Sequence, residues 1–282
     1  MCTTCGCSDG AKATVINLET GKKSDIEAHQ DHNHHDHGHD HSHDHDHSHD
    51  HSHDHVHAGG GTLTLEQAVL QKNDELAARN RAWFAGREIL ALNLVSSPGA
   101  GKTTLLERTI VDRKDAESFF VVEGDQATAN DGERIKAAGA PVVQVNTGTG
   151  CHLEADMVAR GLQELKPGIG SVVMIENVGN LVCPALFDLG EQAKVVILSV
   201  TEGDDKPVKY PHMFQSAEIM ILNKIDLLEH VDFDVEKCIE NAKAVNPSIT
   251  VFQLSARTGE GLDAWYQWVA DARRSVKESA FA

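Results

Sequence analysis

The sequence lacks a long apolar run, an excess of basic residues and a dense set of cysteines, and each absence excludes a class of protein. No segment approaches the roughly 20 consecutive apolar residues that a helix needs to span a membrane. The chain carries 25 Lys and Arg against 43 Asp and Glu, so a surface that binds nucleic acid is not expected. Six cysteines in 282 residues are too sparse for a disulfide scaffold. We therefore expect neither a membrane nor a nucleic acid as a partner.

The amino terminus also lacks the basic segment and the apolar core of a secretory signal, so we expect none. What it contains is half of the cysteines, namely Cys2, Cys5 and Cys7. Such a cluster indicates a metal or redox site in a reducing compartment. Residues 8–28 are polar, and we expect them to be irregular.

A histidine-rich tract follows. Fifteen of the 18 histidines lie between His29 and His57, interleaved with seven Asp. No apolar side chain occurs there before Val56, so nothing offsets the entropy of ordering the tract. We predict a disordered metal-binding arm over residues 1–61, which ends in three glycines, and one folded domain over residues 62–282.

The folded part alternates strand-like and helical runs. The strand candidates, most of them continuously apolar and β-branched, are 89–95, 118–123, 141–145, 171–175, 194–200, 217–222 and 250–254. The helical candidates are 101–113, 131–139, 153–165, 234–245 and 261–277. This alternation predicts an α/β fold with a mostly parallel sheet, whose strands are buried on both faces and whose ligands bind at the carboxyl ends of the strands.

A longer helical pattern opens at residues 62–66 and continues to about Arg87. Its apolar residues near one face are Leu65, Val69, Leu76 and Trp83. We expect this face to pack on the sheet, with Thr64 as the N-cap and Gln67 as its capping-box partner.

A glycine-rich loop, residues 96–104, connects the first strand of the domain to a helix and ends in Gly-Lys-Thr. Its glycines allow backbone amides to turn towards an anion, Lys102 reaches the β- and γ-phosphates, and the Thr103 hydroxyl ligates Mg²⁺. The first position of the usual motif is Ser96 here and not glycine. The predicted nucleotide ligands are Gly99, Ala100, Gly101, Lys102, Thr103 and Thr104.

The strand 217–222 runs into Asn223-Lys224-Ile225-Asp226. A carboxylate at Asp226 can accept hydrogen bonds from both N1–H and the amino group of guanine, whereas adenine offers no such donor pair. Asn223 would tie the loop together, and the stem of Lys224 would lie over the base. Ser255 and Ala256 follow one helix and one strand later, in the order that G proteins use. The pattern favours GTP over ATP.

Two further carboxylates, Asp125 and Glu176, come after strands. With Thr103 they could supply the oxygen ligands that Mg²⁺ prefers, and Gly179 would let a backbone N–H meet the γ-phosphate. We name Lys102, Asp125 and Glu176 as the catalytic candidates. The alternative is that both acids are solvated loop residues.

The motifs SSPGAGKTT, EGDQ, VNTGTGCH, IENVGNLVCP, SVTEGDDKPVKYPHMF and NKID stand in this order. They closely resemble the HypB family, the nickel-incorporation GTPases of NiFe-hydrogenase maturation. The resemblance covers essentially all of residues 62–282 and extends to MCTTCGC and the histidine-rich arm. It implies a dimerising P-loop GTPase domain and a cytoplasmic metallochaperone that loads Ni²⁺ into the hydrogenase large-subunit precursor. The implied partners also include a zinc-containing nickel-delivery protein of the HypA type.

Three groups of candidate metal ligands remain. Cys2, Cys5 and Cys7, with a nitrogen such as the chain's own amino terminus, would suit square-planar Ni²⁺, and a labile zinc or disulfide cluster is the alternative. The tract from His29 to His57 would act as a nickel store of low selectivity, or else as a solvating linker. Cys151, His152 and Cys183 form the third group, for Ni²⁺ or Zn²⁺.

Because Cys151 and His152 are adjacent, we expect their side chains to point in different directions, so that one chain closes a site poorly. Two chains would supply enough ligands for a shared site. Cys183 follows Glu176 and Gly179, so we expect nucleotide and metal to bias the same loop.

Two competing functions differ in class or client. One is a metal-storage protein with a vestigial nucleotide domain, against which the intact phosphate and guanine motifs argue. The other is an accessory GTPase for urease or a cobalamin enzyme. Urease-type relatives carry Cys-Pro-His at the metal loop, whereas Cys151 and His152 are adjacent here, which favours the hydrogenase client.

Overall fold

A computed structural model of the chain describes residues 13–26, 65–125, 130–148 and 150–279. Cys2, Cys5, Cys7, the His29–His57 tract and the predicted cap Thr64 lie outside the described residues. Within the described ranges, no helix is both long enough and apolar enough to cross a membrane.

The described strands form one sheet in the order β2-β1-β5-β4-β6-β3-β7-β8-β9. Their bounds are β1 Thr14–Asn17, β2 Lys23–Asp25, β3 Leu90–Ser96, β4 Phe119–Asp125, β5 Val142–Asn146, β6 Val172–Glu176, β7 Ala193–Ser199, β8 Ile219–Asn223 and β9 Thr250–Gln253. The seven strands from β3 to β9 pair in parallel, and β1 and β2 add to the β5 edge in antiparallel pairing.

Helices cover both faces of the sheet. Their bounds are α1 Leu65–Ala85, α2 Lys102–Arg113, α3 Asn130–Ala138, α4 Ala155–Leu165, α5 Lys206–Lys209, α6 Pro211–Ser216, α7 Val235–Val245 and α8 Leu262–Ser279. Apolar side chains of α2, α3 and α8 pack in one buried cluster with alternate residues of β3. Those of α1 and α4 pack on the opposite face, and α6 and α7 cover β7 and β8. The predicted α/β class is confirmed, and each predicted strand and helix lies within two residues of its observed bounds wherever both ends are described.

The main difference in the fold is a β-hairpin formed by β1 and β2, in a segment that we expected to be irregular. Val15 is 2% exposed and packs with the strand and helix residues around β5. Two strands of four and three residues carry too little periodicity to be recognised, and such a short hairpin is stable only when it pairs with a larger sheet. The expectation was therefore wrong for residues 13–26.

The buried face of α1 also differs from the expected one. Val69 is 45% exposed, whereas Asn73 and Asn80 are buried. The amide of Asn80 donates to the carbonyls of Ala155 and Leu189 at 2.8 and 3.0 Å. These asparagines satisfy the backbone of the α4 amino terminus, so polar residues take positions that periodicity assigns to apolar ones.

Candidate functional site

The glycine-rich loop lies at the carboxyl end of β3, where the strand ends at Ser96 and α2 begins at Lys102. Gly99 and Gly101 have φ of +76° and +99°, which is the left-handed region that favours glycine. A Cβ at Gly101 would also lie 2.5 Å from Nδ2 of Asn223. The loop therefore needs glycine, and it leads into the amino terminus of α2, the kind of helix end whose backbone N–H groups suit an anion.

Asn223, the last residue of β8, connects three loops. Its Nδ2 donates to the Ala100 carbonyl at 2.9 Å. Its Oδ1 accepts from the backbone N–H groups of Lys224 at 2.8 Å and Ala256 at 3.1 Å. The phosphate loop and both predicted guanine loops are thus tied to one side chain, as the role predicted for Asn223 requires.

Asp226 lies in a 3₁₀ turn, Ile225–His230, beside this junction. Its Oδ1 atom is buried and has no hydrogen-bond partner among the residues that the structure describes. Ser255 stabilises the neighbouring loop by accepting from the Thr258 N–H at 3.1 Å. Lys224 donates from Nζ to the Gly99 carbonyl at 2.7 Å, so its stem spans the gap between the guanine and phosphate loops. An unpaired buried acceptor at this place fits a donor-rich base edge.

Asp125 and Glu176 are the last residues of β4 and β6, so they lie at strand ends and not beyond them. Oε1 of Glu176 accepts from the Thr103 hydroxyl at 2.6 Å and lies 3.9 Å from the Lys102 ammonium. Oε2 of Glu176 is buried without a partner in the described chain, and burial raises the pKa of this carboxyl. The Thr103 hydroxyl and the Glu176 carboxylate, one oxygen of which has no hydrogen-bond partner, are the kind of oxygen ligands that fit Mg²⁺.

Glu123 is a further residue of this site, and it is not among the residues predicted from the sequence. It is 2% exposed, and Glu176 is its neighbour in the β4–β6 register. Its Oε2 is buried and unpartnered within the described ranges. Burial, with Glu176 and Asp125 nearby, raises the pKa of Glu123 to about 9. The available signal was the strand period, because residues two apart project from the same face of a strand.

Cys151, His152 and Cys183 converge in one chain. The Cys151 and Cys183 sulfur atoms are 2.9 Å apart, and Nδ1 of His152 is 3.7 Å from the Cys151 sulfur. All three ligand atoms lie within 4.8 Å of one another, and all three residues are half-buried. The expectation that adjacent Cys151 and His152 diverge is therefore wrong, because the loop bends between Gly150 and Leu153. Two sulfur atoms and one imidazole nitrogen are a ligand set that suits Zn²⁺ or Ni²⁺.

His152 is held as a neutral imidazole. Its ring stacks on Phe187 with centroids 3.9 Å apart, and burial lowers its pKa to about 4. Its Nε2 is buried with no hydrogen-bond partner in the described part of the chain, and Oε1 of Glu154 lies 3.8 Å from it. Neutral imidazole is the form that ligates metals, so His152 needs no deprotonation near neutral pH.

One loop touches both the nucleotide and the metal groups. Asn177, next to Glu176, accepts from the Leu153 N–H at 3.1 Å, directly after His152. Asn180 donates to the Cys151 carbonyl at 3.3 Å. A Cβ at Gly179 would lie 3.3 Å from Cα of Pro98 in the phosphate loop. Asn177 and Asn180 could not be predicted as connecting residues from the sequence, since their role depends on contacts across loops.

The remaining cysteine and histidines of the domain lie apart from this group. Cys238 is fully buried in α7, where burial raises its thiol pKa to about 12. His212 and His230 are exposed.

Comparison with known proteins places these groups in a family context. Residues 90–253 match the family model described as the CobW/HypB/UreG nucleotide-binding domain. The chain is 57% identical over 217 residues to the hydrogenase maturation factor HypB of Rhizobium leguminosarum. The matched region covers 76% of this chain and 73% of that protein.

Two solved structures are similar over most of their length. The hydrogenase maturation factor HypB of Archaeoglobus fulgidus is 36% identical, with a TM-score of 0.68 over 72% of this chain and 99% of that one. HypB of Helicobacter pylori, solved in complex with nickel, is 38% identical, with a TM-score of 0.68 over 72% and 96% of the two chains.

Proposed function

Because this chain belongs to the HypB family of hydrogenase maturation factors, we propose that it hydrolyses GTP to control nickel insertion into the NiFe-hydrogenase large subunit. The loop from Glu176 to Cys183 carries this proposal, since it contacts the phosphate loop at one end and supplies a metal ligand at the other. The reaction takes place in the cytoplasm, and the nickel ion is cargo, not a resident cofactor.

The nucleotide is held by the parts already described. The backbone N–H groups at the start of α2 and the Lys102 ammonium bind the β- and γ-phosphates. Gly99, Ala100, Gly101 and Thr104 shape the phosphate loop, and Asp226, with Asn223, Lys224, Ser255 and Ala256, selects guanine. Thr103, Asp125 and Glu176 would hold Mg²⁺, which would supply positive charge beside the phosphates.

The switch follows from the contacts of the Glu176–Cys183 loop. When the γ-phosphate is present, Gly179 directs its backbone N–H towards that phosphate. Glu176 then acts with Thr103 and Asp125 as an oxygen ligand for Mg²⁺. Asn177 and Asn180 are hydrogen-bonded to Leu153 and Cys151, so a movement of the Glu176–Cys183 loop also moves the loop that holds Cys151 and His152. Metal and nucleotide therefore bias one element, and thermodynamic linkage makes the effect reciprocal.

The Cys151, His152 and Cys183 group provides three ligands and leaves a position for a fourth. We assign this group to Ni²⁺ or Zn²⁺ and the fourth position to a second copy of the chain or to an incoming ligand. The partners are a second protomer, a zinc-containing nickel-delivery protein of the HypA type and the hydrogenase large-subunit precursor. Cys2, Cys5 and Cys7 bind Ni²⁺, and the His29–His57 tract stores it.

The test measures metal affinity in two nucleotide states. The protein should lack residues 29–57 and carry Ser at positions 2, 5 and 7, but keep the β1–β2 hairpin, which is part of the sheet. Competition with a chelating dye, in GDP and in a non-hydrolysable GTP analogue, should give different Ni²⁺ affinities. Equal affinities in both states would leave two independent activities and contradict the switch.

A matched pair of cysteine variants separates the metal group from general effects. Cys183→Ser should abolish the response of GTP turnover to Ni²⁺ and Zn²⁺. Cys238→Ala removes a thiol that lies outside the group, so its metal response should match the parent. If both variants respond alike, Cys183 is not a metal ligand.

The client is tested in cells. Deletion of the gene should abolish hydrogenase activity, and excess nickel should restore it. Intact hydrogenase with lost urease would instead assign the chain to urease maturation.

A further inference from the structure

Two thiols of the domain lie close enough to react with each other. The sulfur atoms of Cys151 and Cys183 are 2.9 Å apart, although the two residues are 32 positions apart in the chain. Both cysteines are free in this structure. A disulfide bond is about 2.05 Å long, so the sulfur atoms need to approach by only about 0.9 Å to be bonded. The pair is therefore a reduced dithiol that is placed for oxidation.

Contacts outside the two thiols hold the loops that carry them. The Asn180 amide donates to the Cys151 carbonyl at 3.3 Å, which joins the two loops directly. On the other side of Cys183, the buried Lys194 donates from Nζ to the Pro184 carbonyl at 3.0 Å. These hydrogen bonds keep the sulfur atoms near each other, so each thiol meets the other at a high effective concentration.

The two thiols are also accessible to a small oxidant. Cys151 and Cys183 are half-buried, and Val182, next to Cys183, is 53% exposed. Cys238 is instead fully buried in α7, and burial raises the pKa of its thiol to about 12. Because an accessible thiolate is the nucleophile in thiol–disulfide exchange, we expect an oxidant to react with the pair and not with Cys238.

We propose that Cys151 and Cys183 are a redox modification site, at which a low-molecular-weight disulfide oxidises the metal-free pair to a Cys151–Cys183 disulfide. The proposal rests on the metal group assigned under the proposed function and concerns the regulation of that group. A cysteine ligates a metal as a thiolate, and the disulfide removes two thiolates and leaves only His152. Oxidation therefore closes the metal group, bound metal protects it from oxidation, and reduction opens it again.

The oxidation consists of two thiol–disulfide exchanges. One thiolate of the pair attacks a sulfur atom of the oxidant, which breaks the S–S bond of the oxidant, forms a mixed disulfide and releases one thiolate. The second thiolate of the pair then attacks the protein sulfur of the mixed disulfide, forms the Cys151–Cys183 bond and releases the other half of the oxidant. The two protein thiols lose two electrons and two protons, and the oxidant gains them as two thiols.

The experiment uses the full chain, freed of metal, with oxidised glutathione as the oxidant. Free thiols are alkylated at successive times, and mass spectrometry of a digest identifies crosslinked, glutathionylated and free cysteines. Parallel samples contain NiSO₄ in excess over the ligands of the chain and over the glutathione. In each sample, alkylation without oxidant reports whether nickel protects Cys151 and Cys183. Cys183→Ser removes one thiol of the pair, and Cys238→Ser is the matched control because it removes a thiol outside the pair.

The parent and Cys238→Ser should form the Cys151–Cys183 crosslink within one chain, at a rate independent of protein concentration. Dithiothreitol should reverse the crosslink, and nickel should slow its formation at least tenfold. In Cys183→Ser, the second exchange cannot occur, so glutathione should remain attached to Cys151.

Two results would overturn the redox site and leave the metal group intact, provided that nickel protects both thiols from alkylation. One is glutathione that remains on Cys151 or Cys183 of the parent without a crosslink, and the other is a crosslink that forms as fast with nickel as without it. If nickel protects neither thiol from alkylation before the oxidant is added, the proposed metal group is wrong, and its regulation by oxidation is wrong with it.

Discussion

Besides Oε2 of Glu123, three buried polar atoms lack hydrogen-bond partners among the described residues at the places where ligands are expected. They are Oδ1 of Asp226, Oε2 of Glu176 and Nε2 of His152. An unpaired buried polar atom costs about 1–3 kcal/mol, so folded chains rarely keep one without a use. Each of these atoms lies beside a different predicted ligand, namely guanine, Mg²⁺ and the transferred metal. Single side chains thus carry the chemistry, and their substitutions test it most directly.

The first residue-scale prediction concerns Asp226→Asn. A carboxylate accepts two hydrogen bonds from guanine, whereas an amide offers one acceptor and one mismatched donor. GTP affinity should fall by about one to two decades, the equivalent of ~1–3 kcal/mol. Xanthosine triphosphate carries a carbonyl where guanine carries its amino group, so it should bind the variant better than the parent. Competition titrations with both nucleotides check this, and an unchanged preference would reject the role of Asp226.

The second residue-scale prediction concerns Glu123→Gln in protein without metal or nucleotide. The pKa of Glu123 is raised to about 9 in the folded chain, against an ordinary value near 4.3 in the unfolded chain. Between these values the folded state binds a proton that the unfolded state lacks, so this group makes stability fall as pH rises. Glutamine does not ionise, so the Glu123→Gln variant lacks this loss of stability with rising pH. The stability gained by substitution should grow by about 3 kcal/mol from pH 5.5 to 8.

Urea unfolding in a chelator, at several pH values, measures this difference. The parent and the variant share every other titrating group. The difference between their unfolding free energies at each pH therefore reports Glu123 alone. A constant difference between parent and variant across the range would show that Glu123 is ionised in the folded state.

At the scale of elements, the sequence predicts the central α/β unit well because its signals are local. Continuous β-branched runs mark strands buried on both faces, and the helices between them carry apolar faces. The β1–β2 hairpin and the buried face of α1 could not be predicted in this way. The hairpin depends on pairing with β5, and α1 uses Asn73 and Asn80 to satisfy backbone groups of distant loops.

In the candidate site too, features set by local sequence could be predicted, whereas features set by contacts between distant residues could not. The phosphate loop and the guanine motif are contiguous in sequence, so their positions could be predicted residue by residue. Glu123 lies two residues before Asp125 in β4, so the strand period could have indicated it. Asn177 and Asn180 act through contacts between loops that are distant in sequence, and no spacing rule indicates them. The bend that joins Cys151 to His152 is equally a property of the folded loop.

The element-scale prediction concerns Asn180→Ala in the Glu176–Cys183 loop. Asn180 donates to the Cys151 carbonyl and accepts from the Val182 N–H at 2.8 Å. Loss of one such hydrogen bond costs about 0.5–1.5 kcal/mol, so Ni²⁺ affinity at the Cys151, His152 and Cys183 group should fall about two- to tenfold. GDP affinity should stay at the parent value, because within the described residues the hydrogen bonds of Asn180 go to Cys151 and Val182 and not to the guanine loops. Dye competition and nucleotide titration measure the two quantities, and a loss confined to GDP binding would contradict the prediction.

At the scale of the whole molecule, two exposed apolar side chains flank the metal group. Val182 and Leu186 are 53% and 54% exposed, on either side of the 3₁₀ turn Cys183–Ala185. Ile169 is 72% exposed, but it lies in the connection before β6, at the opposite end of the sheet. A surface that joins apolar residues to an incomplete ligand set fits a second copy of the chain related by a two-fold axis, because each copy then contributes the same residues.

The last prediction is that this surface forms a dimer under nucleotide control. The Glu176–Cys183 loop should move with the γ-phosphate and carry Val182 with it, so a non-hydrolysable GTP analogue should promote dimerisation relative to GDP, and Ni²⁺ should promote it further. Val182→Asp places a charge in the expected interface and should weaken the dimer at least tenfold, since an unpaired buried charge is costly. Ile169→Asp makes the same change on the far side and should leave the dimer intact. Sedimentation equilibrium of parent and both variants in each nucleotide state measures the association. If Val182→Asp dimerises like the parent while Ile169→Asp does not, the interface lies at the other end of the sheet and the two metal groups do not meet.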